Sequence, residues 1–153
     1  MIRIATQDEM RQAFRPIDQG EVEFPSDMKF PLLVRDTLSW IEPSGHRAFI
    51  VFADPAKNSP RGIVFKRSHQ SADAPTAMCD WCHSVRGKGT VGLMTCTVSA
   101  KNRIGLHLCR DLNCSENLSK NPGVNDLYER VPIFDKKRRL VERMSDFARR
   151  NLF

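Results

Sequence analysis

The first 78 residues contain no cysteine, and the whole chain of 153 residues has only five. Nowhere is there an apolar run approaching the roughly 18 residues of a membrane span. The start, Met1-Ile2-Arg3-Ile4-Ala5-Thr6-Gln7-Asp8-Glu9, has no apolar core followed by a small-residue cleavage site. It therefore predicts a protein that is not secreted and has a cytoplasmic address. Internal repeats and low-complexity tracts are absent. Gly87-Lys88-Gly89 lacks the spacing of a phosphate-binding loop. No paired carboxylates and no nucleophile elbow stand out, so no enzyme activity and no small-molecule substrate are expected. Few aromatics fall on a strand surface, which argues against sequence-specific stacking on RNA bases.

What is present is globular in proportion: 41% hydrophobic and 27% charged residues. This length fits one domain over 1–153 that buries about two-thirds of its unfolded surface. Residues 1–77 carry ten Lys/Arg and ten Asp/Glu, whereas residues 78–153 carry fourteen and eight. The entire net charge of +6 lies in the second half and points to an anionic partner.

Residues 7–14 read as a short helix, with Thr6 as cap, Glu9 at the capping-box position, and Pro16 at or beyond its end. A polar loop follows through Asp27. Phe30–Ile41 is ambiguous between strand and helix. His46–Phe52 and Arg61–Arg67 read as strands that pair across an eight-residue connection. Ser68–Pro75 is a small-residue linker. Val91–Val98 and Arg103–Leu108 read as a hairpin around Ala100-Lys101-Asn102. A helix is expected from near Asp111 through Leu118, with a break at Asn121-Pro122-Gly123. The tail predicts a helix capped by Asp135, with Leu140, Met144 and Phe147 on one stripe beside Val141 and Ala148. Its other face holds Lys136, Lys137, Arg138, Arg139, Arg143, Arg149 and Arg150. That face reads as solvated surface or as a contact for RNA or a protein partner; its single short apolar stripe is poor support for membrane binding.

All five cysteines fall within 36 residues. Four form two close pairs, Cys79-x2-Cys82 and Cys109-x4-Cys114, which together can fill the tetrahedral shell of one zinc ion. Cys79-Asp80-Trp81-Cys82-His83 also fits the haem attachment pattern, but that leaves the second pair unexplained. A redox motif would open a helix, and Gly87, Gly89 and Gly92 follow too closely for one. A nucleobase deaminase would need an H-x-E, which is missing. Four thiolates leave no open coordination position, so the zinc is structural. Cys96 is a strand residue of the hairpin. A ligand swap involving Cys96, His83 or His107 remains open. The order of knuckle, hairpin, second pair and helix is that of a treble-clef zinc finger. The expected fold class is thus α+β: a small antiparallel sheet and helix over 1–77, a treble clef over 78–120, and an amphipathic basic helix over 121–153.

Met78-Cys79-Asp80-Trp81-Cys82-His83 and Leu106-His107-Leu108-Cys109-Arg110-Asp111-Leu112-Asn113-Cys114-Ser115 resemble the signature of the elongation-factor-G-binding proteins, a family that includes the fusidic acid resistance proteins. Trp40, the His46–Phe52 strand and Arg61-Gly62-Ile63-Val64 are similar to the family's sheet. The resemblance extends over residues 5 to 150 and is to the C-terminal, factor-binding part. His107 stands where the family commonly has tyrosine. The resemblance implies a structural zinc and binding to elongation factor G, with the ribosome as its setting. It also implies contact through the zinc-finger surface and hairpin, at Trp81, Lys101 and Arg103. Trp81, between two ligands, reads equally as a ring packed over the site. The alternative is a basic zinc-finger protein that binds RNA or the ribosome without factor specificity.

Overall fold

A computed structural model describes residues 1–68, 76–85, 89–120 and 132–153. Along them run β1 (Ile2–Ile4), α1 (Gln7–Gln12), α2 (Pro16–Gln19), β2 (Leu32–Val34) and β3 (Thr37–Ile41). There follow β4 (Arg47–Asp54), β5 (Ser59–Arg67), β6 (Val91–Thr97), β7 (Arg103–Cys109), α3 (Cys114–Lys120) and α4 (Ile133–Asn151). The fold is α+β, as expected. The linker at 69–75, Gly87 and the Asn121–Gly123 break lie outside the described residues.

Five strands form one antiparallel sheet in the order β3-β4-β5-β6-β7. β4 and β5 pair from Arg47↔Lys66 to Asp54↔Ser59. Both strands run past their expected ends, so their connection is only residues 55–58 rather than eight residues. Asp54 Oδ1 accepts from the Ala56 N–H at 3.0 Å there, and Asn58 turns the chain at φ 49°. β6 and β7 form the second expected hairpin, Val91↔Cys109 to Thr97↔Arg103. A short register, Lys66↔Thr95 and Arg67↔Met94, joins the two hairpins into a single sheet. The ambiguous Phe30–Ile41 segment is two strands in two sheets. β2 pairs with β1 in a separate ribbon, and β3 forms one edge of the large sheet.

Ala48 through Phe52 are all fully buried, because both faces of β4 are covered. Such a strand reads as a continuous apolar run instead of an alternation. Ala48, Ile50 and Phe52 face a cluster that holds Leu140, Met144 and all five cysteines. Phe49 and Val51 face a second cluster with Met10, Phe14 and Trp40.

α1 is capped as expected: Thr6 Oγ1 accepts from the Glu9 N–H at 3.1 Å, and Glu9 Oε2 accepts from the Ala5 N–H. It ends at Gln12, and Pro16 opens a second helix rather than merely closing the first. Proline suits a first helical position, where its missing N–H has no partner to lose. Phe14 lies flat on Gly62, where an added Cβ would come within 2.6 Å of the ring. Arg15 is buried, pairs with Asp18 at 2.8 Å, and donates to the Thr97 and Val98 carbonyls. It straps this helical corner to the end of β6. α4 buries Leu140, Val141, Met144 and Ala148, as its stripe predicts. The helix starts at Ile133, so Asp135 lies in its first turn, where an acid favours the helix dipole, and is not the cap.

Candidate metal centre

Cys79 and Cys82 sit on a tight turn, Cys109 ends β7, and Cys114 opens α3. In the turn the His83 N–H donates to the Cys79 carbonyl at 2.8 Å, and the Cys79 N–H to the Ser84 carbonyl at 3.0 Å. His83 takes a left-handed φ of 61° to close it. A matching turn follows Cys109: the Leu112 N–H donates to the Cys109 carbonyl at 2.9 Å, with Leu112 at φ 54°. Asp111 Oδ1 then accepts from the Asn113 N–H at 2.9 Å and leads the chain into α3. The helix therefore begins at Cys114, three residues later than near Asp111.

Two turns from distant parts of the chain thus present four buried sulfurs to one point. Cys79 and Cys114 Sγ are 3.7 Å apart, Cys82 and Cys109 Sγ are 3.5 Å apart, and all four sulfurs lie within 4.8 Å of one another. A zinc–sulfur bond of about 2.3 Å places tetrahedral sulfurs about 3.8 Å apart, so the donor set fits zinc. Four cysteines are positioned to hold one zinc ion. Each would supply a thiolate, and the ion would tie the knuckle to β7 and α3. The shell they form is closed and has no position for a substrate.

The four thiols share protons, so their pKa values move in opposite directions. Hydrogen bonds from the Cys109, Cys114 and Cys79 thiols hold Cys82 far below the ordinary thiol range. The same sharing of protons, together with burial, pushes Cys114 well above it. The Cys82 N–H points at Cys79 Sγ at 3.5 Å, and the Ser84 hydroxyl lies 3.1 Å from Cys82 Sγ. Ser84 is fully buried, and its spacing after Cys82 was the one signal that marked it.

Among the described residues the metal-binding group contains these four cysteines only. Cys96 lies on β6, where burial pushes its thiol up to about 12. His107 is exposed on β7. Neither they nor His83 belongs to the group of four sulfurs.

Trp81 is 4% exposed and is not a surface residue. Its ring stands edge-on to Phe65 and Phe147, at 5.6 and 5.9 Å. Of its two readings the packed one holds, because the turn directs the ring between the sheet and α4. Lys101 and Arg103 are exposed at the tip of the β6–β7 hairpin. Two residues with structural roles here escaped the sequence reading. Asp80 Oδ2 accepts from the His107 N–H at 2.9 Å, and the Asp80 N–H donates to the His107 carbonyl at 2.7 Å, hooking the knuckle onto β7. Arg143, expected on the solvated face of the tail helix, instead donates to the Trp81 carbonyl. Its i+3 spacing from Leu140 was a signal that it could reach inward.

No helix among the described residues is long and apolar enough to cross a membrane. The FBP C-terminal treble-clef zinc-finger family matches residues 9–150. No curated protein matches the sequence significantly. Among solved structures, the fold is similar to that in "Structure of the fusidic acid resistance protein FusC", with a TM-score of 0.57 and 18% identity. That likeness covers 84% of this chain and 57% of the other, so this chain spans little more than half of the length of FusC. At this identity the likeness is one of fold.

Proposed function

The chain belongs to the FBP C-terminal treble-clef zinc-finger family, and from that premise we propose that it binds translation elongation factor G and promotes the factor's release from the ribosome. The contact is made by the zinc-held β6–β7 hairpin, with Lys101 and Arg103 at its tip. The protein acts by binding and without catalysis, in the cytoplasm where ribosomes work. The observation that carries this reading is the site itself: a closed four-cysteine centre spends its chemistry on holding a hairpin rigid, and the tip of that hairpin is basic and exposed. The resemblance to fusidic acid resistance proteins, in signature and in fold, supports the choice of partner. Trp81 takes no part in the contact, because its ring is committed to the core.

The rival reading, RNA contact through α4, draws less support. Arg138 pairs with Asp135 and Glu142, Arg149 pairs with Asp146, and Arg143 is held by the knuckle. These contacts thin the cationic face that the sequence presents.

Calorimetric titration of the zinc-loaded protein into elongation factor G, at low and high salt, tests the proposal. We expect a saturable, roughly one-to-one complex that survives salt and weakens in Lys101→Glu and Arg103→Glu. Absence of a complex, or affinity that falls with salt as steeply as phosphate contacts require, would overturn it.

A further inference from the structure

β7 is an edge of the five-stranded sheet, and among the described residues no further strand pairs with its outer side. In an antiparallel pair, residues alternate between those whose N–H and C=O face the neighbouring strand and those whose groups face away. Contacts on both sides of the β6–β7 hairpin fix which residues are which. On β6, the Leu93 carbonyl accepts from the Ser68 hydroxyl at 2.7 Å and the Thr97 carbonyl accepts from Arg15 at 2.5 Å. These carbonyls point away from β7. On β7, both backbone groups of His107 are taken by Asp80, on the side away from β6. Leu93↔His107 and Thr97↔Arg103 are register partners, and Thr95↔Gly105 lies between them in the same class. Arg103 and Gly105 therefore turn their N–H and C=O groups outward, and both residues are exposed.

We propose that this edge binds an extended segment of the partner by strand addition, and that the segment carries an apolar residue flanked by acidic ones. The proposal rests on the factor-binding reading and specifies how the hairpin makes its contact. Main-chain hydrogen bonds supply affinity in this mode, and the flanking side chains supply specificity. At His107, Asp80 already occupies the place of a neighbouring strand, so the incoming segment continues a row that the zinc knuckle begins. Lys101 and Arg103 lie beside the open groups and form no ion pair among the described residues. They favour carboxylates on the incoming strand. They also oppose pairing with a second copy, which would crowd like charges along the shared edge. Gly105 presents no side chain of its own on this face. Leu93, 42% exposed, leans over it, with Cδ1 3.0 Å from where a Cβ would sit. That methyl gives the incoming apolar residue something to touch.

Hydrogen exchange of the zinc-loaded protein, read amide by amide with and without elongation factor G, tests this. Ile104 and Leu106 amides are bonded to β6 and should be protected in both states. Arg103 and Gly105 amides should exchange freely alone and become protected in the complex. Gly105→Pro removes the outward N–H while sparing the β6 ladder, since proline is tolerated where an edge N–H faces solvent. We expect it to keep its zinc and fold and to lose roughly tenfold or more in affinity. Gly105→Ala keeps the N–H and should lose far less. If the wild-type complex forms but Arg103 and Gly105 stay unprotected, or Gly105→Pro binds normally, strand addition is overturned and factor binding stands. If no complex forms, both fall. Concentration-dependent protection of these amides in the free protein would assign the edge to a second copy and overturn the acidic-strand proposal.

Discussion

The two faces of the five-stranded sheet are covered by different physics. On one face, Phe14, Trp40 and Phe49 meet at ring separations of 5.5–6.3 Å, with Phe24 stacked on Trp40 at 5.7 Å. Ring packing holds them, together with the Trp40 Nε1–H, which donates to the Glu23 carbonyl at 2.7 Å. On the other face, the four thiols share one cluster with Trp81, Leu112, Leu140 and Met144. Here two loops and a helix end converge on a point that apolar contact alone would not organise, because each brings sulfurs that must carry charge. Packing is lost in increments as atoms are removed, whereas a metal centre is lost as a unit, its binding energy being folding energy. The chain's two tryptophans divide evenly between these faces: Trp40 reports on the aromatic one and Trp81 on the metal one.

The comparison breaks most sharply at the ligands. Cys109→Ser, or a strong chelator, should abolish stoichiometric zinc and unfold the knuckle, α3 and the packing of α4. In a Trp40→Phe background the Trp81 emission should shift to the red. In a Trp81→Phe background the Trp40 emission should shift less. Equal shifts would mean that the shared strands β4 and β5 make the two faces one cooperative unit. An unchanged melting curve with full zinc content would refute the four-cysteine site.

Phe14→Ala comes next, at about 3–5 kcal/mol, because the ring is fully buried between Gly62, Trp40 and Phe49. Its signature is a lower melting temperature with zinc stoichiometry retained, measured by calorimetry and metal analysis. Loss of zinc in this variant would tie the two faces together more tightly than the comparison holds. Arg143→Ala removes the tether from α4 to the Trp81 carbonyl and should cost about 1–2 kcal/mol. It should also speed zinc release to a chromogenic chelator, which a purely surface arginine would not do.

Cys96→Ala is the smallest, about 1 kcal/mol at neutral pH. Its informative readout is alkaline. Burial raises the Cys96 thiol from 9.0 to about 12, so the folded state holds a proton that the unfolded chain has released. Wild-type stability should therefore fall as pH rises between about 9 and 12. Denaturant melts across that range should show a shallower decline in Cys96→Ala, and an identical decline would mean that the thiol is solvated.

Much of this was legible along the chain. The thiol spacings gave the metal centre, Thr6 and Glu9 gave the start of α1, and the i, i+4, i+7 stripe gave the buried side of α4. Those signals are local, and the fold leaves them in place. The β1–β2 ribbon was not legible, because three-residue strands are too short to display a period. Along the sequence Pro16 marks a stop, since its other use, opening a helix, depends on where Arg15 is buried. The sequence leaves Trp81 open between packing and contact and places Arg143 on the solvated face, because what decides both is a contact between segments 62 residues apart, the Arg143 guanidinium on the Trp81 carbonyl.

The sequence by itself determined which four residues can hold a zinc ion, which segments are hairpins, and that the positive charge gathers in the second half. Short-range spacing and periodicity are enough for those, since they concern groups a few bonds or one turn apart. Only the tertiary structure decided that the zinc-finger hairpin extends the sheet of the first half, that Trp81 faces inward, and that Arg103 and Gly105 of β7 turn their backbone groups to solvent. Each of these depends on strand register and on which face another element covers. Those are set by long-range pairing, whose free energy is shared across the whole sheet and written in no single stretch of chain.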